Sequence, residues 1–179
     1  GHIGGHEATS FVGLDAVSGA RKLSAWHGSQ WANYGAPTIY DGHAYVNGGY
    51  YGGLIAFNAT TGAMEWQIEP PAVEWEDLWE PAVNDQAIYV VAHKQLRALS
   101  RTDGSLLFAI DSSEAITAQT PVIDSNGNVL VKGNRITSFD VVNKKIAWQS
   151  ESYTTAFSSI ATGNGQVYGV SGNQVVVLN

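Results

Sequence analysis

The chain contains no cysteine. That excludes disulfides, thiolate metal sites and cysteine nucleophiles, and it leaves the redox compartment open. Basic residues are scarce: nine Lys and Arg stand against 16 Asp and Glu, for a formal net charge of −7. Phosphate backbones and anionic lipid surfaces therefore find no electrostatic footprint, and nucleic acid is not an expected partner. No apolar run approaches the ~20 residues of a membrane-spanning helix, so no transmembrane segment is expected. The opening residues GHIGGHEATS lack the charged and apolar regions of a signal peptide, as a trimmed or mature chain also would. Residues 1–10 read as a loose N-terminal segment, of which Gly1-His2 has the look of a cloning remnant. There is no Walker loop, nucleophile elbow or HExxH, and GGYYGG lacks the Lys and helix start of a phosphate cradle. His2, His6, His27, His43 and His93 show no ligand spacing.

What the chain does have is aromatic residues, glycine and internal repetition. With 44% apolar content, six Trp and eight Tyr in 179 residues, one packed domain is well supplied. Set against itself, the sequence gives FVGLD at Phe11, LIAFN at Leu54, LRALS at Leu96, ITSFD at Ile136 and VVVLN at Val175, at steps of 43, 42, 40 and 39 residues. A second register runs with the first. Ten positions after Gly13, Ala56, Ala98 and Ser138 stand Leu23, Trp66, Phe108 and Trp148. Repeats of this length are propeller-blade signatures, each a unit that buries its faces only against its neighbours. The repeats divide as 11–53, 54–95, 96–135 and 136–174, with 175–179 starting a further one.

Within a repeat the pattern is β throughout. APTIY, the Asp41-Gly42 turn and HAYVNGG give two strands; LIAFN, the ATTG turn and AMEWQIE give two more. Helical spacing is nowhere sustained, and 20 Gly suit many tight turns. The turn between third and fourth strands needs positive φ, which Gly19, Gly62 and Gly104 supply, with Lys144 in their place in the fourth repeat. Asp15, Asn58 and Asp140 can tie these turns by accepting backbone N–H bonds, with Ser100 as the weaker substitute. Trp66, Phe108 and Trp148 can each bury on the order of 200 Å² against a neighbouring blade, roughly 5 kcal/mol of gross stabilisation.

The Ala56-to-Trp66 segment resembles the tryptophan-docking motif of the PQQ-like β-propeller family, the quinoprotein alcohol dehydrogenase-like and BamB-like repeats. The first repeat carries Gly13, Asp15, Ser18-Gly19 and Leu23; the fourth keeps Ser138, Asp140 and Trp148 without the Thr-Gly. The resemblance runs from Phe11 to Asn179 and implies an all-β propeller of four-stranded antiparallel blades, four repeats of a six- to eight-bladed ring. Both chain ends supply a third strand, so completion of the ring by further sequence, a second chain or a symmetry mate is expected. A miniature four-bladed ring is the other possibility.

Loops on one propeller face gather Trp31, Asn33, Tyr34, Tyr50, Tyr51, Trp75, Trp79 and Tyr153. One reading is a binding face for a protein, peptide or glycan, since such rings join contact area to a polar tip. The other is that the rings cap the channel or pack between blades. Glu76 and Asp77, in VEWEDLWEP, would dock a basic segment or hold a hard cation, or else belong to a solvated loop. The expected function is a non-catalytic scaffold with no cofactor, and the family implies a periplasmic or extracellular location. The alternative is a fragment of a PQQ-dependent quinoprotein dehydrogenase. For that, the resemblance implies PQQ, a calcium held by carboxylate and amide oxygens, a catalytic Asp and commonly a vicinal disulfide. The last is excluded by the lack of Cys, and no segment matches the calcium ligands or the catalytic Asp residue by residue.

Overall fold

The computed structural model describes residues 7–29, 36–49, 53–69, 79–92, 94–112, 116 and 119–178. Among these every regular element is a strand, and every sheet is antiparallel and built from sequence neighbours. By contact the chain falls into two units, residues 1–81 with 102–104, and residues 82–101 with 105–179.

In the first unit, β1 (Glu7–Leu14) pairs with β2 (Arg21–Ser29) as a two-stranded sheet. β1 begins four residues before the Phe11 start that the repeat suggests. A full blade follows: β3 (Thr38–Tyr40), β4 (His43–Asn47), β5 (Leu54–Asn58) and β6 (Met64–Ile68), in that spatial order. The Thr38 hydroxyl donates to the Pro81 carbonyl at 2.6 Å, fastening the start of that blade. The second unit holds β7 (Ala82–Val83), β8 (Ile88–Ala92), β9 (Gln95–Leu99) and β10 (Leu106–Asp111) as one blade. A second comprises β11 (Val122–Ile123), β12 (Val129–Lys132), β13 (Ile136–Asp140) and β14 (Lys145–Gln149). The last sheet has three strands, β15 (Phe157–Gly163), β16 (Gln166–Ser171) and β17 (Gln174–Leu178).

Burial explains why the middle strands read as continuous apolar runs instead of alternating ones. β8 is buried along its whole length, and β4, β5 and β13 over four of five residues; for β13 the reason lies within its own unit, where one neighbouring sheet packs on Phe139 and another on Ile136. Fourth strands are half exposed. In the first unit, Phe11, Ala25, Ala44, Val46, Ile55 and Phe57 form the core between the two sheets, with Phe11 and Phe57 stacked at 5.4 Å. In the second, Tyr89, Val91, Leu96, Val129, Val131 and Phe139 join the two full blades, and Leu130, Ile136, Phe157 and Val167 join the last two sheets.

Tyr45 sits in this packing with no exposed surface, and its hydroxyl has no hydrogen-bond partner among the described residues. A buried unpaired hydroxyl costs about 1–3 kcal/mol relative to a satisfied one. Tyr45→Phe is therefore expected to be neutral or to stabilise by about 1 kcal/mol in urea unfolding; a loss of similar size would mean the hydroxyl is paired.

Candidate functional site

The repeated third-to-fourth-strand hairpin is the most fully defined constellation in the molecule. Gly19, Gly62 and Gly104 adopt φ of 70°, 74° and 73°, and Lys144 adopts 54° in the same place, as the turn chemistry requires. In the first hairpin Asp15 Oδ1 accepts from the Val17 and Ser18 amides and the Ser18 hydroxyl, at 3.1, 2.8 and 2.9 Å. Asn58 Oδ1 accepts from the Thr60 and Thr61 amides at 3.0 and 2.9 Å. Asp140 accepts the Asn143 amide at 2.9 Å and the Asn143 side chain at 2.7 Å. These bonds favour the ionised carboxyl: the Ser18 amide above all holds Asp15 below its ordinary range, and the Asn143 side chain does so for Asp140. Lys22 adds an ion pair to Asp15 at 3.4 Å.

The ten-residue offset seen in the sequence is a cross-strand pair. Gly13 faces Leu23, Ala56 faces Trp66, Ala98 faces Phe108 and Ser138 faces Trp148. In each hairpin the register slips by one at that place, a β-bulge that leaves Lys22, Glu65, Leu107 or Ala147 unmatched just before the large side chain. The facing residue is small for a steric reason. A Cβ on Gly13 would lie 2.8 Å from the Leu23 side chain. The large side chain in turn lies on the glycine turn that follows in the chain: a Cβ on Gly62 would meet Leu23 at 3.4 Å, and one on Gly104 would meet the Trp66 ring at 2.9 Å. Where Lys144 replaces the glycine, its ammonium stands 5.1 Å from the centre of the Phe108 ring, a cation–π contact in place of close packing.

Of the residues expected on an aromatic loop face, Trp31, Tyr34, Tyr50, Tyr51, Trp75, Glu76 and Asp77 lie outside the described residues. Trp79 is 2% exposed, so its ring is enclosed by protein. Tyr153 is half-buried, its ring edge-on to Phe157 at 4.9 Å and its hydroxyl donating to Glu151 at 3.1 Å. Partial burial, then the Glu151 carboxylate, pushes its phenol upward. The structure thus brings the hairpin residues together and leaves the loop-face residues it describes in packed positions. Among the described residues no three His, Asp or Glu side chains converge as a metal site, and no helix is long and apolar enough to cross a membrane.

Two histidines are placed by packing and pairing. His43 Nδ1 contacts Glu65 Oε2 at 2.6 Å. His27 is 2% exposed beside Phe57, and burial lowers its pKa from 6.5. The folded chain therefore binds this proton less readily than the unfolded one, so His27's contribution is complete above about pH 6.5 and is lost as the pH falls. Urea unfolding at about pH 7.5 and about pH 5.5 should show a loss of stability that is smaller in His27→Leu. An equal loss in both would exonerate this ring.

Stacked antiparallel sheets, three of them four-stranded, with successive third-to-fourth-strand turns lying under Leu23, Trp66 and Phe108, define a β-propeller of the PQQ-like class. Residues 6–178 match the family model described as outer membrane protein assembly factor BamB, and the chain belongs to that family. No curated protein sequence matches it significantly. Among solved structures it is similar to BamB from Moraxella catarrhalis, with a TM-score of 0.70 and 16% identity over 89% of this chain and 50% of the other. The computationally designed Ika8 protein is similar at 0.74 and 14%, over 94% and 52%. Quinohemoprotein alcohol dehydrogenase from Comamonas testosteroni is similar at 0.56 and 20%, over 68% and 21%. At these identities the likeness shows the fold, and the chain spans about half the length of the first two proteins.

Proposed function

We propose that the chain is a non-catalytic propeller scaffold that binds a protein partner in an extracytoplasmic compartment, as part of a larger ring. The match of nearly the whole chain to a family described as an outer membrane assembly factor carries this reading. The hairpin chemistry supports it: Asp15, Asn58 and Asp140 spend their acceptors on turns of their own strands, a structural use. Peptide and glycan remain the other ligand classes for an aromatic face, and a protein suits the family description better. No PQQ or calcium is proposed.

The test uses the face named by Trp31, Tyr34 and Trp75. Photo-crosslinking from these positions in envelope fractions should give a discrete protein adduct, and their joint replacement by alanine should lower its yield at least tenfold with little change in melting temperature. Unchanged capture would remove the face from the proposal. Retention of a quinone chromophore through gel filtration after loading with PQQ and calcium would favour a dehydrogenase instead.

A further inference from the structure

The fourth strand of a blade pairs on one side only, so its outer edge presents main-chain donors and acceptors that no described strand takes up. Native sheets guard such edges with charge. Here β2 carries Arg21 and Lys22, β6 carries Glu65 with Glu69 just beyond it, and β14 carries Lys145. β10 is the exception. Residues 105–110, SLLFAI, hold no charge, and Leu106 and Leu107 are 49% and 50% exposed. This open edge belongs to a complete blade of four strands, with the next sheet packed on it inside the same unit.

Pairing with β9 fixes which groups of β10 face outward. The Ser112 amide donates to the Lys94 carbonyl at 3.1 Å, and in an antiparallel ladder bonded and non-bonded pairs alternate. Phe108 and Ile110, opposite Ala98 and Leu96, therefore bond inward to β9; Ala109 and Asp111, opposite Arg97 and Gln95, turn their N–H and C=O groups outward. A second β10 laid antiparallel along this edge has two registers that match those outward groups, Ala109 against the copy's Ala109 or against its Asp111. In the first register Asp111 lies opposite the copy's Leu107, in the second opposite its Ala109, so neither sets charge against charge. Gln95 also draws Asp111 toward β9, donating to its carboxylate at 2.7 Å. On β6, where Gln67 stands in the place of Ala109, the first register sets Glu65 opposite the copy's Glu69.

We propose that β10 is a self-association edge, at which two copies of this chain pair β10 to β10 in antiparallel strand addition. The main-chain groups of Ala109 and Asp111 set the alignment, and the exposed Leu106 and Leu107 lose water as the edges meet. A strand of six residues buries less than the ~1,200 Å² of a stable interface, so the dimer is weak and depends on concentration. The net charge of −7 on each copy opposes it, so the dimer tightens as salt rises. The surface is the outer rim of a blade and is distinct from the aromatic loop face.

Sedimentation of the full chain from about 10 to about 500 µM, at low and at about 0.5 M salt, should show a reversible monomer–dimer equilibrium that tightens with salt. Amide exchange at Ala109 and Asp111 should slow as concentration rises. Ala109→Pro removes an outward donor and no bond to β9, so it should weaken the dimer at least tenfold with the melting temperature little changed. Should the proline disturb folding, Leu107→Lys places a charge on a half-exposed side chain and gives the same reading. Gln67→Pro, the matching change on β6, should leave association as it was. A monomer at every concentration, association indifferent to both β10 variants, equal weakening by Gln67→Pro, or protection appearing in β1 or β17 in place of β10 would each overturn the proposal. Because no loop-face residue takes part, failure of the partner-capture experiment leaves this result standing, and the reverse also holds.

Discussion

Gly104→Val should be among the most damaging single substitutions in the chain, with an expected loss of about 2–6 kcal/mol in urea or thermal unfolding. Two costs add. At φ 73° a β-branched residue is held in the left-handed region, worth about 1–3 kcal/mol. Its Cβ would also lie 2.9 Å from both the Trp66 ring and Ile68, so the packing must open by about another 1–3 kcal/mol. Gly127→Val separates the two. Gly127 has φ 82° and nothing within 4 Å of a built Cβ, so only the backbone cost applies. Equal losses at the two sites would mean that Trp66 does not rest on the Gly104 turn.

Trp79→Ala should cost about 3–5 kcal/mol, the range for removing a large ring from a closed core. At 2% exposure the indole has almost all of its surface to lose to a cavity. The measurement also decides between the two roles weighed for this residue. A near-native melting temperature combined with lost partner capture would put the ring on a working surface. A sharp fall in melting temperature with capture retained per folded molecule would make it a packing element.

The sequence disclosed the hairpin chemistry because that chemistry is local. A turn needing positive φ admits few residues, so Gly19, Gly62 and Gly104 mark it, and the repeat carries the reading over to Lys144. The cross-strand contact was legible as a ten-residue offset, though its meaning was not. Offsets along a chain carry no record of which residues face each other, and a bulge of one residue disappears in strands only five residues long. Gly13 beside Leu23 shows what the coordinates add: the smallness of one residue is the room needed by the other. The order of strands within a blade was legible as well: APTIY and HAYVNGG read as the first two strands and LIAFN and AMEWQIE as the last two, which is the blade that begins at Thr38, so a repeat counted from Leu54 begins on a third strand. Trp79 illustrates the opposite limit. An indole in an acidic loop has the same composition whether it is covered or open, and only tertiary packing tells the two apart.

The membership of residues 102–104 has a practical consequence for anyone dividing this molecule. They lie in sequence between β9 and β10, yet by contact they belong with residues 1–81. No single scission of the backbone can release the N-terminal unit whole: a fragment stopping at Pro81 would carry Trp66 without the glycine on which it rests. Fragments produced by dissection would therefore be less stable than their strand content suggests, and co-expressed halves should recover stability that neither has alone.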